Sequence, residues 1–395
     1  MSTDWSSAPQ DRRAALLPPE LLPLFDDSFV RSCELIEEYA VRLAAEIFRG
    51  CGLEPTCAQE VSVEQAIGRA GLVPEVARVP MAWLLATLAA RGWLALAAGA
   101  SGEPRYRLAQ PLPWLDPAEI LEAQTAHDPR CLPSYRIAAL AAEHYPAVLR
   151  GEESGEQALF GPEGVSAWAR YFSNGNPLYG ISNAVGAIAA GQALPAGPAS
   201  ILEVGGGLGS GAEALLDRLA GVGRLADVDV YRFTEISPLF LKRAQRTLVA
   251  RYPQCPFAFG VADLDQPLSA ADIAPESCSL IYGVNVLHVA RDLGATLAQL
   301  RQALRPGGAL VMAECVRPFP GMPVHLELTF NLLGAFRNAV LVPAWRPNGG
   351  FLTPEQWSAA LEANGYRDVR VYPDVAAIRD TIPGFLVAAI VGMRA

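Results

Sequence analysis

Lysine is almost missing from this chain. Lys242 is the single one among 31 basic residues. Basic charge is also outweighed, because 41 acidic side chains bring the formal net charge to −10. A general binder of nucleic acid or of an anionic membrane needs the opposite balance, so small or neutral substrates fit better. Histidine is scarce, with only His127, His144, His288 and His325, which makes the search for a general base short. No apolar run suits a membrane-spanning helix: 81–100 is interrupted by Arg91 and 384–393 is too short. The first residues, MSTDWSSAPQDRR, lack the basic region and apolar stretch of a secretion signal, and a cytoplasmic location is expected. The seven cysteines, Cys33, Cys51, Cys57, Cys131, Cys255, Cys278 and Cys315, form no CxxC pair and no zinc-like spacing. Reduced thiols and no metal site are expected.

What is present is apolar residue, 51% against 18% charged, the balance of a well-packed globular protein. A length of 395 residues exceeds what one compact core usually holds, so more than one domain is expected. After an extension over 1–30, the stretch 34–49 carries Leu35, Tyr39, Leu43 and Ile47 at near-helical spacing. VSVEQAIGRAG, VARVPMAWLLATLAARGWL and RYRLA then read as helices followed by a small β-ribbon. The order over 31–110 resembles a winged-helix module. Eight arginines against nine glutamates there give no basic footprint for DNA. The apolar run 81–90 is expected as buried core or as the interface of a homodimer.

Residues 111–198 read as a helical connector contributing to a pocket. Within it, WARYFSNGNPLYGISNAVGA sets Tyr171, Phe172, Asn174, Asn176, Tyr179 and Asn183 close together. Two readings stay open: a cover for a cofactor pocket, or a turn at 174–177 leading into a packed helix.

From 199 to 395 the pattern changes to short apolar runs alternating with amphipathic helices, the signature of βαβ units and a parallel sheet. Strands are predicted at SILEVG, DVYRFTEI, FAFGVA, LIYGVNVL and GALVMAE, with RVYP and GFLVAAIVG as a final pair. Helices are predicted near 212–219, 239–252, 293–304 and 354–364. The first strand runs into EVGGGLGSG, with Glu203, Gly205, Gly207 and Gly209 at every second position. Glycines there let the backbone turn sharply and approach a ligand, while the following helix presents its N–H groups. Gly207, Gly209 and Ala212 also satisfy a dinucleotide pattern, so an NAD(P)-dependent oxidoreductase shares this loop. Glu203 suits the ammonium of an amino-acid moiety and opposes a pyrophosphate. Glu235, followed by Ile236 at the end of the second strand, suits ribose hydroxyls in either kind of site. Asp263 in VADLD suits the exocyclic amine of adenine with Leu264 beside the ring, or else closes a strand-end turn. Asn285 either orients a ligand or forms a turn.

Read in order, ILEVGGGLGSG, YRFTEISPLFLKRA, VADLDQP, YGVNVLHVARDL, LRQALRPGGALVMAE and GFLTPEQWSAALEANGY resemble class I S-adenosylmethionine methyltransferases. More narrowly, they resemble the C-methyltransferase domains of polyketide synthases. The resemblance implies an α/β fold, with a Rossmann-like domain on a seven-stranded, mostly parallel sheet behind a mainly helical N-terminal domain. It implies S-adenosyl-L-methionine as cofactor and a small, polyketide-like acceptor, free or bound to a carrier protein. The chain departs from the family at AFRNAVLVPAW, residues 335–345, where a Gly/Trp-rich lid segment is usual.

Methyl transfer needs an aligned acceptor and the removal of a proton. His288 ends the fourth strand of this domain and Glu314 the fifth, at the carboxyl edge where such sheets bind ligands. Adjacent strand ends bring the two near each other, so Glu314 suits one imidazole nitrogen and leaves the other as base. The resemblance carries the roles of a catalytic dyad onto the same two residues. The alternative is that His288 caps its strand over the adenine and Glu314 pairs with an arginine such as Arg317. His325, near Glu327 in MPVHLELTF, is the reserve base. Phe330, Phe336, Trp345 and Phe351 either wall a substrate pocket or are ordinary core. O-methylation of a phenol, enol or carboxylate is the alternative chemistry. A winged-helix regulator with a ligand-sensing methyltransferase-like domain is the non-enzymatic one.

Overall fold

The computed structural model describes residues 10–99 and 102–395, with side chains from Arg13 onward. Residues 1–9, on which most of the secretion-signal reading rests, lie outside the described residues, as do 100 and 101 in the turn before RYRLA.

The described chain divides into two compact units, neither of them one continuous stretch. The first takes Phe25–Tyr171 and Gly321–Arg337. Its long helix, Asp27–Gly50, starts where the Asp26 carboxylate accepts the Phe29 N–H, and buries Leu35, Tyr39, Leu43 and Ile47 on one face. Strand β1 (Val61–Ser62) leads into helix Val63–Ala70 through a capping box of Ser62 and Gln65. Helix Pro74–Ala90 follows, then β2 (Leu94–Ala98) and β3 (Pro104–Leu108), which join β1 in an antiparallel sheet of order β1-β3-β2. Met81, Trp83, Leu84, Leu85 and Leu88 are all buried inside the chain itself. That inward orientation uses the apolar run expected as core or dimer surface. Helices Pro117–His127, Leu132–Leu149, Gly155–Phe160 and Pro162–Tyr171 complete the unit around Tyr135, Tyr145 and Trp168.

The second unit takes Gln10–Leu24, Phe172–Pro320 and Asn338–Ala395. Its seven-stranded sheet comprises β4 (Ala199–Glu203), β5 (Val228–Glu235), β6 (Phe257–Val261), β7 (Cys278–Val284), β8 (Leu304–Cys315), β9 (Tyr366–Tyr372) and β10 (Val387–Arg394). The order is β6-β5-β4-β7-β8-β10-β9. Strands β4 to β8 pair in parallel, while β10 runs antiparallel between β8 and β9. All seven predicted strands are present, as are the helices Ser210–Gly221, Pro238–Arg251, Leu293–Ala303 and Pro354–Ala363.

Strands β4 and β7 are buried along their whole length, because layers cover both faces of a parallel sheet; this is why neither shows the polar–apolar alternation of a half-exposed strand. One cover is helix Pro177–Ala193, packed on β7, β8 and β10. The chain passes from β4 out to β5 and β6, then returns to β7 on the other side. That reversal opens a crevice at the carboxyl ends of β4 and β7, the natural ligand position in an open α/β sheet.

Candidate functional site

The crevice begins with Glu203, the last residue of β4, which is 1% exposed. The Tyr231 hydroxyl donates to its Oε2 at 2.8 Å, and the Thr234 hydroxyl donates to its backbone carbonyl at 2.7 Å. Burial, with the nearby negative charge of Glu235, pushes the Glu203 carboxyl up to about 8, against the opposing bonds from Tyr231 and the Ala212 N–H. Burial thus favours the protonated carboxyl.

Two glycines of the following loop do different work. Gly205 has φ +59°, and a Cβ there would come within 2.2 Å of Val286, so contact between the loop and the β7 end demands glycine. Gly207 has φ +57°, and a Cβ there would meet nothing within 4 Å. Its face is open to a ligand. Across the loop, Glu235 closes β5 with Oε2 accepting the Gly207 N–H and Oε1 accepting the Ser237 N–H, both at 2.9 Å. Burial raises its carboxyl. Ile236 beside it is 58% exposed, although its side chain is apolar. Asp263, half-buried, accepts the Asp265 N–H at 2.9 Å, and the Leu264 carbonyl accepts the Thr296 hydroxyl.

At the end of β8, Glu314 is fully buried and His288, in the short turn Leu287–Val289, is 3% exposed. His288 Nδ1 lies 2.6 Å from Glu314 Oε2. The other carboxylate oxygen accepts the N–H groups of Val286 at 3.1 Å and Leu287 at 2.8 Å. With Oε1 facing those amides, Oε2 is directed at the imidazole. The Phe351 ring packs on the imidazole with centroids 4.9 Å apart. Arg317 Nε donates to the Phe351 carbonyl at 3.3 Å, while both Glu314 oxygens are engaged by Val286, Leu287 and His288.

A family model described as a methyltransferase domain matches residues 202–310, which include Glu203 and His288. The chain carries a methyltransferase domain. Highly reducing polyketide synthase 2 of Gibberella zeae is 28% identical over 260 residues, which are 63% of this chain and 10% of that protein. The methyltransferase chain thus spans about a tenth of that relative. Among solved structures, the CurJ carbon methyltransferase superposes with a TM-score of 0.76 at 21% identity, covering 98% of both chains. The trans-methyltransferase CalH, solved in complex with SAH, gives 0.63 at 18% identity, covering 94% of this chain and 93% of the other. These likenesses show the class I methyltransferase fold.

Further expected residues lie in the same unit as the crevice. The Tyr179 hydroxyl bonds with Ser210 at the start of the helix after the glycine loop; burial raises it, helped by the charges of Glu203, Glu314 and Glu235 and opposed by the Ser210 bond. Asn174 donates to the Ser210 carbonyl at 2.9 Å and accepts from Asn183 at 2.8 Å. Asn176 is fully buried, with its backbone carbonyl accepting from Gly180. The connector segment is a packed helix start bonded to Ser210, the residue after Gly209. Asn285 sits at φ +49° with Oδ1 accepting the Cys315 N–H at 2.8 Å, joining β7 to β8. Trp345 is buried, near Gly294.

Tyr171, His325 and Phe330 belong to the first unit. Tyr171 packs edge-on against Trp168, and Phe330 lies between Trp168 and Phe336. His325 shares a cavity with Glu37, Trp83, Thr87 and Arg91, and burial lowers its imidazole to about 4. Glu327 accepts the Val324 N–H at 2.8 Å. Among the described residues no group of three or more His, Cys, Asp or Glu side chains is placed to hold a metal ion, and no helix is long and apolar enough to cross a membrane.

Two residues escaped sequence reasoning. Tyr231 stands mid-strand in a run that reads as core, and Arg346 follows Trp345 with no local pattern to mark it.

Proposed function

We propose that this methyltransferase uses S-adenosylmethionine to methylate an activated carbon of a β-ketoacyl, polyketide-like acceptor carried as a thioester, with His288 as general base and Glu314 as its partner. The observation that carries this reading is the buried pair at 2.6 Å, whose carboxylate is anchored by two backbone N–H groups. The similarity to polyketide synthases supports the acceptor class, and the SAH complex of CalH supports the cofactor.

The residues present fit such a cofactor. Glu203 offers an ionisable carboxyl to an ammonium, Glu235 offers acceptors to a ribose, and the Gly207 face is open between them. When bound, S-adenosylmethionine supplies an electrophilic methyl group on a positively charged sulfur. His288 Nε2 takes the acidic α-proton of the acceptor, leaving an enolate. Glu314 stabilises the imidazolium formed and holds the ring's orientation, because Nδ1 keeps its proton on the carboxylate side. Such a positioned base contributes about 10²- to 10⁴-fold.

Incubation with methyl-labelled S-adenosylmethionine and a β-ketoacyl thioester, followed by product NMR, tests the reading. Label on the α-carbon is expected. Label on oxygen alone removes the carbon-transfer proposal in favour of O-methylation, and tight NAD(P)H binding with no response to S-adenosylhomocysteine removes both.

A further inference from the structure

Arg346 is completely buried. Its Nη1 donates to the carbonyls of Ala290 at 2.7 Å and Arg291 at 3.1 Å, and its Nη2 to the carbonyl of His288 at 2.9 Å. Nε has no partner among the described residues. All three acceptors are thus neutral backbone carbonyls. Burying a guanidinium without a carboxylate in contact is costly, and an apolar side chain would fill the space at less expense. The cost needs a compensating gain, and the location of the acceptors shows one.

The carbonyls belong to the short turn that bears His288 and to the two residues after it. The segment around Arg346 runs alongside them: Val340 N–H donates to the Arg291 carbonyl at 2.8 Å, and Val342 bridges to Arg346 itself. From the opposite side, Glu314 takes the N–H groups of Val286 and Leu287. The turn is therefore held by an anion at its N–H end and by a cation at its C=O end, each matched to the sign of the turn's dipole. Three residues of 3-10 geometry would not hold one orientation unaided.

We infer that Arg346 is a positioning residue, which clamps the turn so that the His288 imidazole meets Glu314. The inference rests on the reading of His288 as base. The clamp acts through the backbone and needs no contact with the acceptor.

The test uses the full chain with Arg346→Met, which keeps length but no donor, and Arg346→Lys, which keeps charge without the planar fork. The downfield proton resonance of His288 Nδ1–H in histidine-labelled protein is one readout, and kcat and KM for methyl transfer are the other. In R346M the resonance is expected to shift or vanish, and kcat to fall about 100-fold with KM changed less than about 3-fold, since a misplacement of 1 Å costs that much. R346K is expected to lie between R346M and wild type in both readouts. A folded R346M with the wild-type resonance and kcat overturns the inference; if R346M does not fold, wild-type behaviour of R346K overturns it. Should His288→Ala retain full turnover while R346M still displaces the resonance, the base assignment fails and the clamp stands.

Discussion

Replacing Glu203 by glutamine removes an ionisable group whose charged form the fold resists. The carboxyl moves from an ordinary 4.5 to about 8 on folding, and each unit is worth about 1.4 kcal/mol, so the fully ionised form costs roughly 5 kcal/mol. The sign follows from proton counts. Between pH 4.5 and 8 the unfolded chain has lost the proton that the folded chain keeps, so stability falls as pH rises through that window. Below pH 4.5 the penalty is absent, because both states are protonated. Glutamine does not titrate, and its amide oxygen still accepts from Tyr231. In urea titrations the stability of E203Q relative to wild type should therefore grow by about 3 kcal/mol between pH 5 and 7.5. The same variant should bind S-adenosylhomocysteine weakly, since it cannot ionise against the ammonium. Calorimetry of the wild type in buffers of different ionisation enthalpy should show about one proton released per binding event at pH 7. A stability difference that stays flat across this pH range refutes the reasoning, for it means that Glu203 is already ionised in the unliganded fold.

His288→Ala should lower turnover by about 10²- to 10⁴-fold while calorimetry shows unchanged S-adenosylhomocysteine affinity. Gly207→Ala should cost roughly 1–2 kcal/mol from its positive φ alone and should weaken S-adenosylhomocysteine binding, because its new methyl group enters the open face. Gly205→Ala adds the clash with Val286 and should lower the melting temperature more than Gly207→Ala; equal shifts would contradict the difference in surroundings. Thr353 caps helix Pro354–Ala363 in a capping box with Gln356, and Thr353→Ala should cost about 1 kcal/mol by denaturant titration.

The sheet was legible from the chain alone because its signals are local. Alternation of apolar strand and amphipathic helix, glycines after β4 and carboxylates at the strand ends each occupy a few consecutive residues, and periodicity encodes them directly. Once the strands were ordered, the neighbouring ends of β7 and β8 followed, and with them the proximity of His288 and Glu314. Tertiary structure alone decided which partner Glu314 takes, since Arg317 and His288 are both within reach by sequence and only the Val286 and Leu287 amides direct Oε2 at the imidazole. Only the fold could reveal that Tyr231 holds Glu203 from 28 residues away and that Arg346 reaches the His288 carbonyl across 58. It also decided that Gln10–Leu24 belongs with the sheet, and Gly321–Arg337 with the helical unit. The reason is one of range: backbone preference and hydrophobic period act within a turn or a strand, while the pairing of buried polar groups is set by which distant segments the core brings into contact.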